Sequence, residues 1–170
     1  MGTTCTALAI GAGAAYSAQV GDSRLYLVRG GEIFLMSEDH SAVMEMVRQG
    51  RMTIESARRH TDKNIILRAL GTQPEVNVAT WNTAFPVREG DHFVLCSDGL
   101  YDLVTDGEIK QTVLHHVPHA ACESLVALAK ERGGYDNITI GIVRLSLAAE
   151  ADKSETRELP VTREFAPVGN

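Results

Sequence analysis

The sequence predicts an α+β fold, a layered sandwich of antiparallel strands and helices. Short apolar strands joined by Gly-containing turns fill residues 3–36, and helical patterns dominate from residue 105 to 132. Between them lie two short helical stretches and further strands, so helices and sheets interleave without a regular βαβ alternation.

Each element follows from its residues. Thr, Tyr and Val in residues 3–10 and 14–20 favour strands around the turn Gly11-Ala12-Gly13. Arg24–Val28 and Glu32–Met36 repeat that pattern around Arg29-Gly30-Gly31, so the four strands are expected to form one antiparallel meander. Ser41–Gln49 and Thr53–His60 read as short helices with Ser41 and Thr53 as N-caps. Strands are predicted again at Glu75–Trp81 and His92–Cys96. Thr105-Asp106-Gly107-Glu108 carries the capping-box pattern and opens a helix through about His115. Pro118 suits the first turn of a second helix, in which Ala121, Cys122, Leu125, Leu128 and Ala129 share one face. Gly133-Gly134 ends it. In the last strand, Ile138, Ile140 and Ile142 alternate towards the core. Residues 1–147 thus form the domain. Residues 148–170, charged and without period, read as a mobile tail or linker.

Composition narrows the function. The chain has 170 residues, 44% of them hydrophobic, and a net charge of -6, which argues against a general nucleic-acid binder. No apolar run reaches membrane-spanning length. Residues 1–10 lack the basic start and cleavage site of a signal peptide. The three cysteines, Cys5, Cys96 and Cys122, sit in apolar surroundings without a C-x-x-C, the pattern of buried, reduced thiols in a cytoplasmic protein.

Three places share one design: Gly21-Asp22-Ser23, Ser97-Asp98-Gly99 and Tyr135-Asp136-Asn137 put an Asp where an apolar strand begins or ends. Strand ends of one sheet lie close in space, so Asp22, Asp98 and Asp136 can converge. Carboxylates without His or Cys partners suit Mg²⁺ or Mn²⁺ over zinc. Asp is also an ordinary turn former and helix cap, and spacing alone leaves both readings open.

Five blocks, "MGTTCTALAI", "AQVGDSRLYLVRGGEIFLMSEDHS", "RHTDKNIILRALG", "GDHFVLCSDGLYDLVTDGEI" and "ERGGYDNITIGIVRL", occur in the order found in bacterial protein phosphatase 2C-like enzymes. Over about residues 1–145 the chain resembles this PPM family of metal-dependent serine/threonine phosphatases. The resemblance implies two antiparallel sheets flanked by helices, with a binuclear Mn²⁺ or Mg²⁺ centre at one end. It assigns Asp98 and Asp136 as metal ligands, and Asp22, with Asp98, to a weaker third metal. It also implies attack of a metal-bound water on a phosphoserine or phosphothreonine, so Thr3, Ser23 and Ser97 are not nucleophiles. A phosphoprotein substrate and a serine/threonine kinase counterpart follow from the same likeness. Residues 41–70 match the family's flap, whose Arg48, Arg51, Arg58, Arg59 and Arg68 either meet acidic substrates or form a solvated helix face, with Arg68 structural. Asp102 is expected to make local hydrogen bonds near the following helix.

The family places two further metal-binding carboxylates and a phosphate-holding Arg before Gly-Thr-Thr. The chain therefore reads as the C-terminal part of such an enzyme, with weak metal affinity, negligible activity alone and self-association or pairing to another chain through uncovered strands and apolar surface. The rival reading is an inactive phosphatase-like regulatory or protein-binding module. Other motifs fail. Gly21-Asp22-Ser23 lacks the downstream Asp-x-x-His of a lipase-esterase, and Leu95 occupies the first Gly position of a G-x-S-x-G elbow. Tyr16 replaces the third Gly of a dinucleotide fingerprint, and His115, His116 and His119 read as an exposed helix end.

Overall fold

A computed structural model describes residues 1–146. The expected tail, residues 148–170, lies outside them. The elements in order are β1 (Cys5–Gly11), β2 (Ala14–Val20), β3 (Arg24–Arg29), β4 (Glu32–Leu35), α1 (Ala42–Arg48) and α2 (Ile54–Arg58). There follow β5 (Ala79–Thr80), β6 (Phe85–Pro86), β7 (His92–Cys96), α3 (Asp98–Tyr101), α4 (Asp106–His115), α5 (Pro118–Glu131) and β8 (Ile140–Arg144).

Two antiparallel sheets form the layers. In one, β2 pairs with β1 along its whole length and with the two-residue strands β5 and β6 on its other side. The other has the order β4-β3-β7-β8. The four opening strands are therefore two hairpins in different sheets, not one meander. The break lies at Gly21, whose φ of 104° turns the chain from β2 towards β3. Hairpin signals fix each pair but are silent on whether successive pairs share a sheet.

Period-two alternation builds the core. Tyr26, Val28, Val94 and Cys96 face α3, α4 and α5, where they meet Leu100, Ile109, Val113, Leu125 and Ala129. The intervening residues Leu25, Leu27 and Phe93 face the other sheet and Ala15. That second layer is thinner, closed by half-buried Leu8, Trp81, Phe85 and Leu95. Of the predicted strand Glu75–Trp81 only Ala79–Thr80 joins a ladder, because β2 offers it two residues before β6 takes over the same edge. β1 leaves its outer edge unpaired among the described residues, and Ile10 is exposed there. Cys5 is exposed for the same reason, whereas Cys96 is buried and Cys122 half-buried. An apolar neighbourhood in sequence does not bury a residue on an edge strand.

The helix caps form as predicted. Ser41 and Thr53 accept from the amides of Met44 and Ser56, and Thr105 with Glu108 makes both bonds of the capping box. Glu108 also receives Arg132 Nη2 at 2.6 Å, which ties the end of α5 to the start of α4. Arg132 and the Thr105 donors hold the Glu108 carboxyl down at about 2. Residues 41–70 leave the sandwich as one excursion. Its roots are the backbone bonds Ala42 N–H to Ile65 O (2.9 Å) and Leu67 N–H to His40 O (2.8 Å).

Candidate metal centre

Asp22 sits where the chain crosses between the sheets. Gly21 fixes that turn: its amide donates to His40 Nδ1 at 3.1 Å, and its carbonyl accepts from the His40 amide at 2.9 Å. A Cβ on Gly21 would lie 2.3 Å from Thr4 Cγ2, so only Gly suits the position. Tyr101 Oη donates to the Asp22 carbonyl at 3.1 Å. Asp22 is 6% exposed. Burial, and then the charges of Asp98 and Asp39, push its carboxyl up to about 6.

Asp98 follows the end of β7 and opens the single turn α3. Ser97 joins this start to the loop before β8. Its amide donates to Thr139 O, its hydroxyl to Asn137 O, and it accepts from the Thr139 amide, each at 3.0 Å. The contact is close enough that a Cβ on Gly99 would stand 2.4 Å from Asn137 O. That approach sets Asp136 beside Asp98. Burial raises the Asp98 carboxyl and the charges of Asp136 and Asp102 add to the rise, against opposing bonds from the Gly99 amide and its own amide. The Asn137 amide donates to Asp136 Oδ1 at 2.6 Å. The Asp98 charge thus adds to the rise at Asp22, and the Asp136 charge to the rise at Asp98.

None of the three forms an ion pair among the described residues. Asp22 is buried, Asp98 half-buried and Asp136 exposed. The raised proton affinity of the first two marks a shortage of positive charge, and an oxygen-only donor set suits a hard divalent cation. These residues fit Mn²⁺ or Mg²⁺ as part of a ligand set. Among the described residues, no three Asp, Glu, His or Cys side chains are gathered closely enough to hold an ion by themselves.

A family model described as Protein phosphatase 2C matches residues 1–131. This chain belongs to that family. Protein phosphatase PhpP of Streptococcus pneumoniae is 39% identical over 147 residues, which are 86% of this chain and 59% of the relative. The serine/threonine phosphatase PstP/Ppp of Mycobacterium tuberculosis superposes with a TM-score of 0.77 at 35% identity, covering 86% of this chain and 61% of that one. A structure of the PstP catalytic domain in complex with two manganese ions has a TM-score of 0.70 at 35% identity, with 84% and 58% covered. The chain spans about three-fifths of the curated relatives' length. The two antiparallel sheets and flanking helices expected of a protein phosphatase 2C fold are present.

Other residues take places that the sequence left unseen or misassigned. Asp102 does not bond locally through its carboxylate: it closes α3 with its amide, while its side chain pairs with Lys63 of the 41–70 excursion. Sequence separation hid that pair, since the two residues lie 39 positions apart. The arginines of the excursion are largely occupied by its own acids or by the body. Arg48 pairs with Glu38 and Glu45, Arg59 with Glu55, and Arg58 with Asp106. Arg68 lies 3.3 Å from His40 Nε2, at the root of the excursion. Arg51 makes no ion pair among the described residues. His115 and His116 contact carbonyls of their own helix, and His119 stands beside Glu123, so the three do not converge. The buried pair Arg24–Asp39 and the aromatic Tyr101 were not singled out in the sequence. Their only signal there is proximity to Asp22 and Asp98.

Proposed function

We propose that this chain supplies the Asp98, Asp136 and Asp22 side of a divalent-metal-dependent protein serine/threonine phosphatase. One observation carries the proposal: at the ends of strands, the buried Asp22 and half-buried Asp98 have raised carboxyls and no ion-pair partner among the described residues, in a chain of this family. Asp98 and Asp136 hold the binuclear Mn²⁺ or Mg²⁺ pair, and Asp22 joins Asp98 at a weaker third position. When bound, such ions supply the charge that activates water and neutralises a phosphoryl group. The chain's own contribution is placement. Ser97 and Gly99 clamp the Asp98 turn to the Asp136 loop, while Gly21 and Tyr101 hold the turn at Asp22.

The substrate is a phosphoserine or phosphothreonine protein, with a serine/threonine kinase as its counterpart. Relatives named as protein and serine/threonine phosphatases support this class. Turnover is expected only when the chain is joined to the segment that precedes Gly-Thr-Thr in the family, which carries the remaining carboxylates and the phosphate-holding arginine. The test is hydrolysis of a phosphothreonine peptide with and without Mn²⁺. It compares the chain alone, the chain extended with that segment from a relative, and Asp98→Asn in the extended form. Mn²⁺-dependent turnover by the extended form, lost in Asp98→Asn, is the expected result. An extended chain that binds Mn²⁺ but turns nothing over would favour a non-catalytic phosphatase-like module.

A further inference from the structure

One polar network, largely buried at Arg24, Asp39 and Tyr26 and exposed at the Arg58–Asp106 link, joins the 41–70 excursion to the turn at Asp22. Arg24 is its hub. The guanidinium, 13% exposed, grips Asp39, itself 6% exposed, through Nε (3.2 and 3.1 Å) and Nη2 (2.7 Å). Nη1 donates to Tyr26 Oη at 3.1 Å, and the guanidinium carbon lies 3.7 Å over the centre of the Tyr101 ring. From the ring, Tyr101 Oη reaches the Asp22 carbonyl. In the other direction, Tyr26 Oη donates to Asp106 Oδ1 at 3.1 Å. The second oxygen of Asp106 receives Arg58 Nη2, from α2 of the excursion, at 3.1 Å. Asp102, the neighbour of Tyr101, takes Lys63 of the same excursion.

Only a planar fork makes this set of contacts: two nitrogens on a carboxylate, a third on a phenol and a face laid on a second aromatic ring. The Asp39 pair also consumes the Arg24 charge, which explains why Asp22 stays short of a cation although an arginine lies two residues away. We propose that Arg24 is a positioning residue that couples the seating of the 41–70 excursion to the backbone at Asp22. Release of Arg58 frees Asp106, loosens Tyr26 and shifts the guanidinium on which Tyr101 rests. Asp22 follows through its carbonyl. The consequence for metal binding rests on the proposed function, but the coupling itself belongs to the chain without metal.

The test reads amide hydrogen exchange in the metal-free chain, with Gly21 N–H reporting the Asp22 turn and Ala42 and Leu67 N–H reporting the excursion. Arg58→Gln is expected to speed exchange at Gly21 about threefold in the wild-type background, and to add nothing in Arg24→Lys, where the turn is already loose. Tyr101→Phe, which keeps the ring and loses the bond to Asp22, should speed Gly21 alone. Unchanged amides in α5 mark the effects as local. The proposal is overturned if Arg58→Gln speeds Ala42 and Leu67 but leaves Gly21 unmoved, or if the Arg24 and Arg58 effects simply add. Should Arg24→Lys fail to fold, the Tyr101→Phe and Arg58→Gln pair decides by the same non-additivity at Gly21. A Mn²⁺ titration in parallel separates the two ideas. No Mn²⁺ binding by the wild type counts against the metal reading, and the Gly21 result then still decides the coupling.

Discussion

Strands β3 and β7 lie side by side, and their two ends treat carboxylates in opposite ways. At one end Asp91, 1% exposed, takes two bonds from Arg29 (2.7 and 2.6 Å) and one from the Arg88 amide at 2.7 Å. Burial works against its charge, but Arg29 and that amide prevail, and its carboxyl is held below the ordinary range. At the other end Asp22 is pushed up by burial and the charges of Asp98 and Asp39, and Asp98 by burial and the charges of Asp136 and Asp102. Arg24 stands at that end too, yet Asp39 occupies it. A buried carboxylate is therefore not by itself a sign of function. What separates the ends is whether the protein supplies the opposing charge: Asp91 is a finished structural pair, and Asp22 and Asp98 lack a counter-charge that a divalent ion can bring.

The largest effect that can break this contrast is on stability. In chelator, Asp91→Asn leaves Arg29 without its partner and should cost about 3 kcal/mol in urea unfolding. Asp98→Asn removes a charge that the metal-free fold disfavours, so stability should hold or rise. Equal losses in the two variants would erase the distinction. Gly99→Ala sharpens it at the functional end. The added methyl meets Asn137 O at 2.4 Å and must push the Asp136 loop from α3, at a cost of about 2 kcal/mol. With Asp136 displaced, the Asp98 carboxyl should titrate closer to its ordinary value by NMR; an unmoved titration would mean that the loop contact does not set the field at Asp98.

The smallest effect concerns pH. Asp22 binds its proton at about 6 in the folded chain against an ordinary 3.8. The folded state therefore holds the extra proton in that window. Its contribution to stability is full below 3.8 and is lost as pH rises through about 6. Asp22→Asn, neutral at every pH, should be more stable than wild type at pH 8 by about 1 kcal/mol, a figure reduced for residual screening by water. The difference should vanish towards pH 4. A constant offset across the range would place the effect in packing and not in the charge.

What the sequence revealed depended on range. Caps and helix ends are written locally, and Ser41, Thr53, Thr105 and Gly133-Gly134 all stand where their chemistry put them. β7 ran from His92 to Cys96 as read from its apolar run. The three strand-end aspartates were legible as a shared pattern, but not that Asp22 is buried, Asp98 half-buried and Asp136 exposed. Long-range facts were not legible. The crossing at Gly21 between sheets, the Asp102–Lys63 pair and the Arg24–Tyr26–Asp106 network all join residues whose sequence neighbours say nothing of the partner. Cys5 shows the same limit for burial, since only the sheet order reveals that its strand is an edge.

The most direct test of the central claim is Mn²⁺ titration of the chain by calorimetry, with Asp98→Asn beside the wild type. Wild type should bind weakly, with a Kd on the order of 0.1–1 mM, because its ligand set is partial. Asp98→Asn, missing one of the proposed carboxylate ligands, should bind at least about tenfold more weakly while remaining folded. Identical titrations for the two proteins would contradict the assignment of this end of the sandwich to a metal.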